Sequence, residues 1–310
     1  MNFIFVSTTS KHNKEYLELP NKMVFEGASL NFLVSNLEVL EEIIEKHDKN
    51  ETLFLLDTEK KQGLSLYDEA DISNKIDYKP NDLTMEAADL AVINYFGDNI
   101  QSKAVAIYGT GNIAFKVALR LSERNIKVFL YGRNKDKIRV CIDALKQVSF
   151  DSSLIEYGNN KTKVDGLLSF VSAEEIIGEE FLAILNQTSI CLDGGIGNFS
   201  KQFIKTALKV GHEVRRLDVR QSQEIMEGYI KSRFSSRFNN IIGRDRIKGI
   251  SVVAGGIMGL DGELIVDRIT KPSKVVGVAN GIGGVKNDAD LSNEEREKIK
   301  AVQSYIEQGI

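Results

Sequence analysis

The sequence predicts an α/β protein: a doubly wound parallel sheet, a smaller N-terminal α/β domain before it, and a C-terminal helix that folds back. Three observations predict this. Beyond residue 99, apolar runs of strand length alternate with stretches of helix length, the pattern of parallel strands joined by right-handed crossovers. The run Ser102–Tyr108 leads into Gly109-Thr110-Gly111-Asn112-Ile113-Ala114 and then an amphipathic helix. This order brings a pyrophosphate onto bare backbone at a helix N-terminus. Finally, 310 residues are many for one core and suit two domains.

In the N-terminal half, Asn2–Thr8 is predicted as a strand, Leu33–Lys46 as a helix from its apolar spacing, and Thr52–Asp57 as a strand. Residues 60–82 are polar, contain Pro80 and show no clear period. Leu83–Phe96 is predicted as a helix ended by Gly97, and as the crossing between domains.

The fingerprint follows. Gly109 permits the tight turn out of the strand, Gly111 lacks the Cβ that would hold a pyrophosphate off, and Ala114 lets the helix pack closely on the sheet. Thr110, Asn112 and Ile113 complete the loop expected around the cofactor. The second strand, Lys127–Tyr131, ends in Gly132-Arg133-Asn134-Lys135-Asp136-Lys137, with no acid at its tip to accept from a ribose 2′-hydroxyl. Arg133 suits adenine stacking and a 2′-phosphate, Asn134 can donate to that phosphate, and Lys137 adds positive charge, so NADP is the cofactor expected.

Next are predicted a helix over Asn134–Gln147, strands over Leu154–Tyr157 and Val164–Val171, a helix over Glu174–Leu185, a strand over Thr188–Asp193, a helix over Phe199–Val210 and a strand over His212–Asp218. Three glycine-rich segments, at 193–198, 254–259 and 279–284, are expected beyond strand ends, with Gly194 against the nicotinamide. Leu260-Asp261-Gly262-Glu263, between Val252 and Val266, reads as the turn of a hairpin. Ser292-Asn-Glu-Glu295 has capping-box spacing and opens a last helix to Glu307, expected to pack on the N-terminal domain. The predicted domains are therefore 1–98, joined by 285–310, for substrate and catalysis, and 99–284 for NADP.

A net charge of −4 and a pI near 5.6 give no basic face for nucleic acid. No apolar run reaches eighteen residues, so no membrane span is expected. Cys141 and Cys191 read as buried thiols of a reducing, cytoplasmic compartment. His12, His47 and His212 are too scattered for a metal set, and no metal is expected. The partner expected is a small-molecule substrate, with a homodimer left open.

The strand leading into Val6-Ser-Thr-Thr-Ser-Lys-His-Asn13, the linking helix, the GTGNIA run and Arg133-Asn-x-x-Lys137 together resemble the shikimate dehydrogenase group. Glutamyl-tRNA reductase and methylenetetrahydrofolate dehydrogenase share that architecture. The resemblance implies an NADP-dependent oxidoreductase whose substrate, a hydroxy acid, polyol or keto compound, lies between domains. It implies a catalytic lysine and aspartate, carried over to Lys61 (or Lys60) and Asp82. The family's Pro-Phe-Lys run is replaced here by Asp57-Thr-Glu-Lys-Lys61, and Asn81-Asp82-Leu-Thr84 only approximates Asn-Thr-Asp.

On the residues themselves, hydride removal from a carbinol needs a proton acceptor, and a desolvated lysine can serve. Asp193 is a third candidate, and Asp82 can alternatively cap the Thr84 helix. Two other functions stay open: an amino-acid or imine dehydrogenase of the same architecture, and a regulator that binds NADPH without turning over.

Overall fold

The computed structural model describes residues 2–8, 16–48, 51–61, 63–159 and 161–308. The chain divides into two compact units, residues 1–228 and 229–310.

The first unit contains two sheets. The first is built from β1 (Asn2–Thr8), β2 (Tyr16–Glu18), β3 (Lys22–Val24), β4 (Gly27–Val34), α1 (Leu37–His47), β5 (Thr52–Asp57), α2 (Leu66–Glu69) and β6 (Lys75–Tyr78). Its order is β2-β4-β1-β5-β6, with β3 also on β4. β4, β1, β5 and β6 run parallel, and β2 and β3 are antiparallel to β4. β5 is buried along its whole length and β1 at all but its first residue, as in a parallel sheet covered on both faces. Ile4, Val6, Phe54 and Leu56 pack against Leu40 and Ile43 of α1 and Leu66 of α2.

The helix expected at Leu33 begins at Leu37, capped by Asn36, whose side chain accepts from Val39 N at 3.0 Å. The apolar residues Leu30, Phe32 and Val34 before it belong to β4. β3 and β4 are joined by the two-residue turn Phe25-Glu26, both left-handed (φ 48° and 64°). The Phe25 ring lies 5.6 Å from that of Phe3, and its N–H donates to Glu227 Oε1 at 2.9 Å.

α3 (Pro80–Phe96) crosses to the second sheet. It starts three residues earlier than expected because Pro80 occupies its first turn, where a missing N–H costs nothing. Asp82 therefore lies inside the first turn and is not the cap. Ala87, Ala88 and Ala91 are buried, and such small side chains allow close packing on the next helix.

The second sheet comprises β7 (Ala104–Tyr108), α4 (Asn112–Glu123), β8 (Lys127–Tyr131), α5 (Lys135–Val148), β9 (Ile155–Tyr157), β10 (Val164–Ser169), β11 (Leu185–Asp193), α6 (Lys201–Lys209) and β12 (Glu213–Arg216). All six strands are parallel in the order β9-β8-β7-β10-β11-β12. Counted within this sheet, that is 3-2-1-4-5-6, the order of dinucleotide-binding sheets, with its switch point between β7 and β10. Alternate residues of β7 feed the two faces. Val105 and Ile107 meet α3 and α4, whereas Ala106 and Tyr108 meet Phe199 and Phe203 on the other side. The helix expected over 174–185 is only a short 3-10 helix, Glu179–Ile184. The sequence reading carries the nucleotide domain to Gly284; the parallel sheet itself ends at Arg216.

α7 (Gln223–Phe234) spans the division between the units. The second unit holds β13 (Gly243–Ile247), β14 (Ile250–Ala254), β15 (Leu264–Val266), β16 (Val275–Val278) and α8 (Asn293–Glu307). β14 and β15 pair in parallel, so 260–263 does not close the expected hairpin; β13 with β14 and β15 with β16 are the antiparallel pairs. α8 opens with the full capping box, Ser292 and Glu295 each bonding the other's backbone, and its Val302 packs with Val278 of β16. The glycine-rich segments at 254–259 and 279–284 follow β14 and β16 in this unit.

Candidate functional site

Gly109 and Gly111 are glycine for different reasons. Gly109 has φ +145°, and a Cβ there would stand 2.9 Å from Phe170 O and 3.2 Å from Ala114 Cβ. The turn cannot take a side chain. Gly111 caps α4 in an extended conformation any residue adopts (φ −87°, ψ −178°), and a Cβ there would meet nothing within 4 Å. Its Cβ position is open space at the positive end of a twelve-residue helix without a side-chain cap, at the switch point of the sheet. Among the predicted loop residues, Gly111 and Asn112 are exposed, Thr110 is half-buried with its carbonyl accepting from Cys141 Sγ at 3.8 Å, and Ile113 packs against the core.

At the tip of β8, Arg133, Asn134 and Lys137 are exposed, and no acid stands among them. Asn134 caps α5: its Oδ1 accepts from Lys137 N at 2.9 Å, which leaves its amide nitrogen as a donor.

Beyond β10 and β11 the loops are tied by a buried polar web. Asp193 accepts from Gly195 N (3.1 Å) and Asn198 N (3.0 Å). Asn198 Oδ1 accepts from Ser169 Oγ (2.8 Å) and its Nδ2 donates to Val171 O (3.0 Å) and Ala173 O (2.7 Å). Gly194 sits against Phe170, whose ring a Cβ would approach to 2.4 Å. Asp193 thus holds the loop that positions Gly194.

Within the first unit a cavity of about 420 Å³ brings the two sheets' residues together, a volume suited to a small ligand. It is lined by Lys22 and Asn31 of the first sheet, Thr84 of α3, Gly194, and the segment 216–220 beyond β12. Lys61 and Asp82 do not line it. Lys61 Nζ lies between Asp57 Oδ2 (2.9 Å) and Glu59 Oε2 (3.0 Å), and Asp57 is fully buried, also accepting from Thr8 N at 3.2 Å. Asp82 pairs with Lys116 of α4. Lys60 stands exposed beside Lys61, and Asn81 N donates to Glu59 at 3.2 Å. Of the Ser/Thr-rich turn after β1, residues 9–13 lie outside the described residues, His12 among them.

Lys22, which the sequence reading passed over, is the cavity's amine. Its Nζ lies 4.2 Å from the Phe5 ring centre and 4.5 Å from that of Tyr78, and donates to Tyr78 Oη. Burial pushes this amine down to about 7. Tyr78 moves the opposite way, raised by burial and by the charges of Asp57 and Glu59. Across the cavity Arg220 is neutralised by Asp218 (Nε to both carboxylate oxygens at 2.9 Å), which it holds below the usual carboxylate range. The signal for Lys22 is a lone lysine in the run Leu19-Pro-Asn-Lys-Met-Val-Phe25.

Burial pushes the Cys191 thiol up to about 12, and Cys141 is also raised; both cysteines are free. Among the described residues, no group of three or more His, Cys, Asp or Glu could hold a metal ion, and no helix is long and apolar enough to cross a membrane.

No family model and no curated protein matches the chain. Among solved structures it is similar to a shikimate dehydrogenase in complex with NADP⁺ (14% identity, TM-score 0.46, covering 76% of this chain and 96% of that one). It is similar also to a shikimate 5-dehydrogenase-like protein (13%, 0.43, 76% and 93%). A third is a dipicolinate synthase from Bacillus halodurans (16%, 0.37, 62% and 69%). The likeness is one of fold.

Proposed function

We propose that this chain is an NADP-dependent oxidoreductase that moves a hydride to or from a small polar substrate held in the 420 Å³ cavity. The observation that carries the reading is Gly111, whose Cβ position is open space over the N-terminus of α4, at the switch point of a 3-2-1-4-5-6 sheet. The residues present fit a dinucleotide. The turn at Gly109 is closed to any side chain, the backbone of 110–113 is offered to a pyrophosphate, and Arg133 with the Asn134 amide suits a 2′-phosphate. Bound there, NADP(H) supplies the acceptor or donor of the hydride. The chain's own part is to orient the substrate between Gly194 and the first sheet, keep water out, and move the accompanying proton.

The test is a pair of titrations. NADPH should bind at least tenfold tighter than NADH, about 1.4 kcal/mol, and Arg133→Ala should erase most of that preference. Equal affinity for both cofactors in the unmodified protein refutes the NADP reading. A screen of NADP⁺ reduction across hydroxy acids, polyols and amino acids then identifies the substrate class; binding without turnover on any of them would return the regulator.

A further inference from the structure

Two cations of the cavity differ from their neighbours. Among the described residues, Lys22 and Arg216 form no ion pair, whereas Lys61, Lys116, Arg215 and Arg220 each face a carboxylate. Both line the cavity that Gly194 also lines. Lys22 projects from a three-residue strand into a wall of two aromatic rings, with one hydrogen bond to Tyr78 behind it. Arg216 stands at the carboxyl end of β12, the side of the sheet where ligands bind. The groups that bear on Lys22 are Tyr78 of β6, Asp57 and Glu59 behind that tyrosine, and Arg216, Asp218 and Arg220 across the cavity.

We propose that Lys22 is the residue that transfers the proton in this cavity, and that the substrate is a small anion whose charge is met by Arg216. The proposal rests on the hydride-transfer reading above. In the oxidative direction the substrate O–H bond breaks, and its proton forms an N–H bond on the lone pair of neutral Lys22. The O–H electron pair becomes the second bond of the carbonyl as the C–H hydrogen leaves with its own pair to oxidised NADP. In reduction the Lys22 ammonium returns the proton to the carbonyl oxygen. Burial brings the amine to about 7, so both protonation states are populated near neutrality. Tyr78 is a positioning residue: its Oη takes one N–H of Lys22 and leaves the lone pair to the cavity.

The test can be run before any substrate has been identified. The protein is treated at pH 6–10 with cyanoborohydride and one of three small aldehydes: glyoxylate, glycolaldehyde phosphate, or uncharged glycolaldehyde. Modification of each lysine is read by peptide mass spectrometry against exposed Lys135. Lys22 should react with a midpoint near pH 7, and at least one anionic aldehyde should exceed glycolaldehyde at Lys22 by about tenfold more than at Lys135. Which anion is preferred separates a carboxylate from a phosphate ester, and Arg216→Ala should abolish the preference. Reaction of Lys22 only above pH 9, or no preference for an anion, overturns the proposal. NADPH affinity is measured on the same preparation. Failure of NADPH to bind overturns the hydride-transfer reading and this role with it, whereas NADPH binding with Lys22 inert at pH 7 overturns the Lys22 assignment alone. With a substrate from the screen, Lys22→Met should lower turnover at least 10²-fold, and Tyr78→Phe should shift the pH profile. Turnover that survives Lys22→Met but is lost in Lys61→Met returns the step to Lys61.

Discussion

Lys22→Met should make the protein more stable at neutral pH. A lysine that is brought from 10.5 to about 7 by burial has lost ~5 kcal/mol of preference for its charged form, at ~1.4 kcal/mol per pH unit. The sign follows from the two states. Below pH 7 both carry the charge and the fold bears the whole desolvation cost; between 7 and 10.5 the unfolded chain alone stays protonated, so stability rises with pH; above 10.5 the term is gone. Methionine fills a similar volume without the charge. Against the gain, the Tyr78 hydroxyl loses its partner in a fully buried site, which costs ~1–3 kcal/mol. The net expectation at pH 7 is a gain of ~2–4 kcal/mol. The sharper quantity is the difference between variant and wild type, which should fall by ~4 kcal/mol between pH 7 and pH 10 whatever the tyrosine contributes. Urea unfolding of both proteins across that range, followed through the transition of the first unit, measures it. A pH-independent difference, or a variant destabilised at pH 7, refutes the desolvated amine.

Gly111→Val should leave stability within about 1 kcal/mol, since its Cβ meets nothing, while NADPH affinity falls at least 100-fold, about 2.7 kcal/mol. Gly109→Ala should instead lose ~1–3 kcal/mol of stability, because it forces φ +145° and a 2.9 Å contact with Phe170 O; thermal melts and cofactor fluorescence separate the two. Asp89→Asn should destabilise by ~2 kcal/mol in urea, because this buried carboxylate of α3 binds Arg120 (3.1 Å) and Arg124 (2.6 Å) of the α4 segment. His212 is buried with Nδ1 lacking a partner among the described residues, and burial lowers its pKa. The unfolded chain therefore takes up its proton first, stability falls as pH drops below 6.5, and His212→Leu should flatten that part of the stability profile.

The nucleotide sheet was legible because its determinants are local. Spacing gives GTGNIA, alternation gives the strands, and handedness of the crossovers leaves few orders for six parallel strands. The caps at Asn134 and Ser292 were legible for the same reason. What escaped depends on which elements meet. Asp261-Gly262 reports that the chain turns, but β15 then pairs parallel to β14, and turn chemistry cannot name the strand on the other side. In 174–185, Gly178 and the acidic pair after it leave only one 3-10 turn. The β4 alternation ran straight into the apolar spacing of α1, which merged a strand and a helix into one period. Lys22 was the hardest: its chemistry comes from Phe5 and Tyr78, on β1 and β6, and nothing within its own strand announces them.

The turn that carries Lys22 into β4 has an implication for the history of the chain. Two-residue turns of this shape favour Asn-Gly, and Phe25-Glu26 holds two ordinary residues left-handed, at ~1–2 kcal/mol each. Backbone energetics alone would push drift toward Asn-Gly, and what opposes it is the Phe25 ring against Phe3 and the bond to Glu227 that seats the hairpin. The dipeptide at 25–26 is thus a marker of selection separable from the lysine itself: among orthologues, lineages under pressure to keep the amine in register should retain a bulky residue at 25, and lineages released from it should relax to Asn-Gly first.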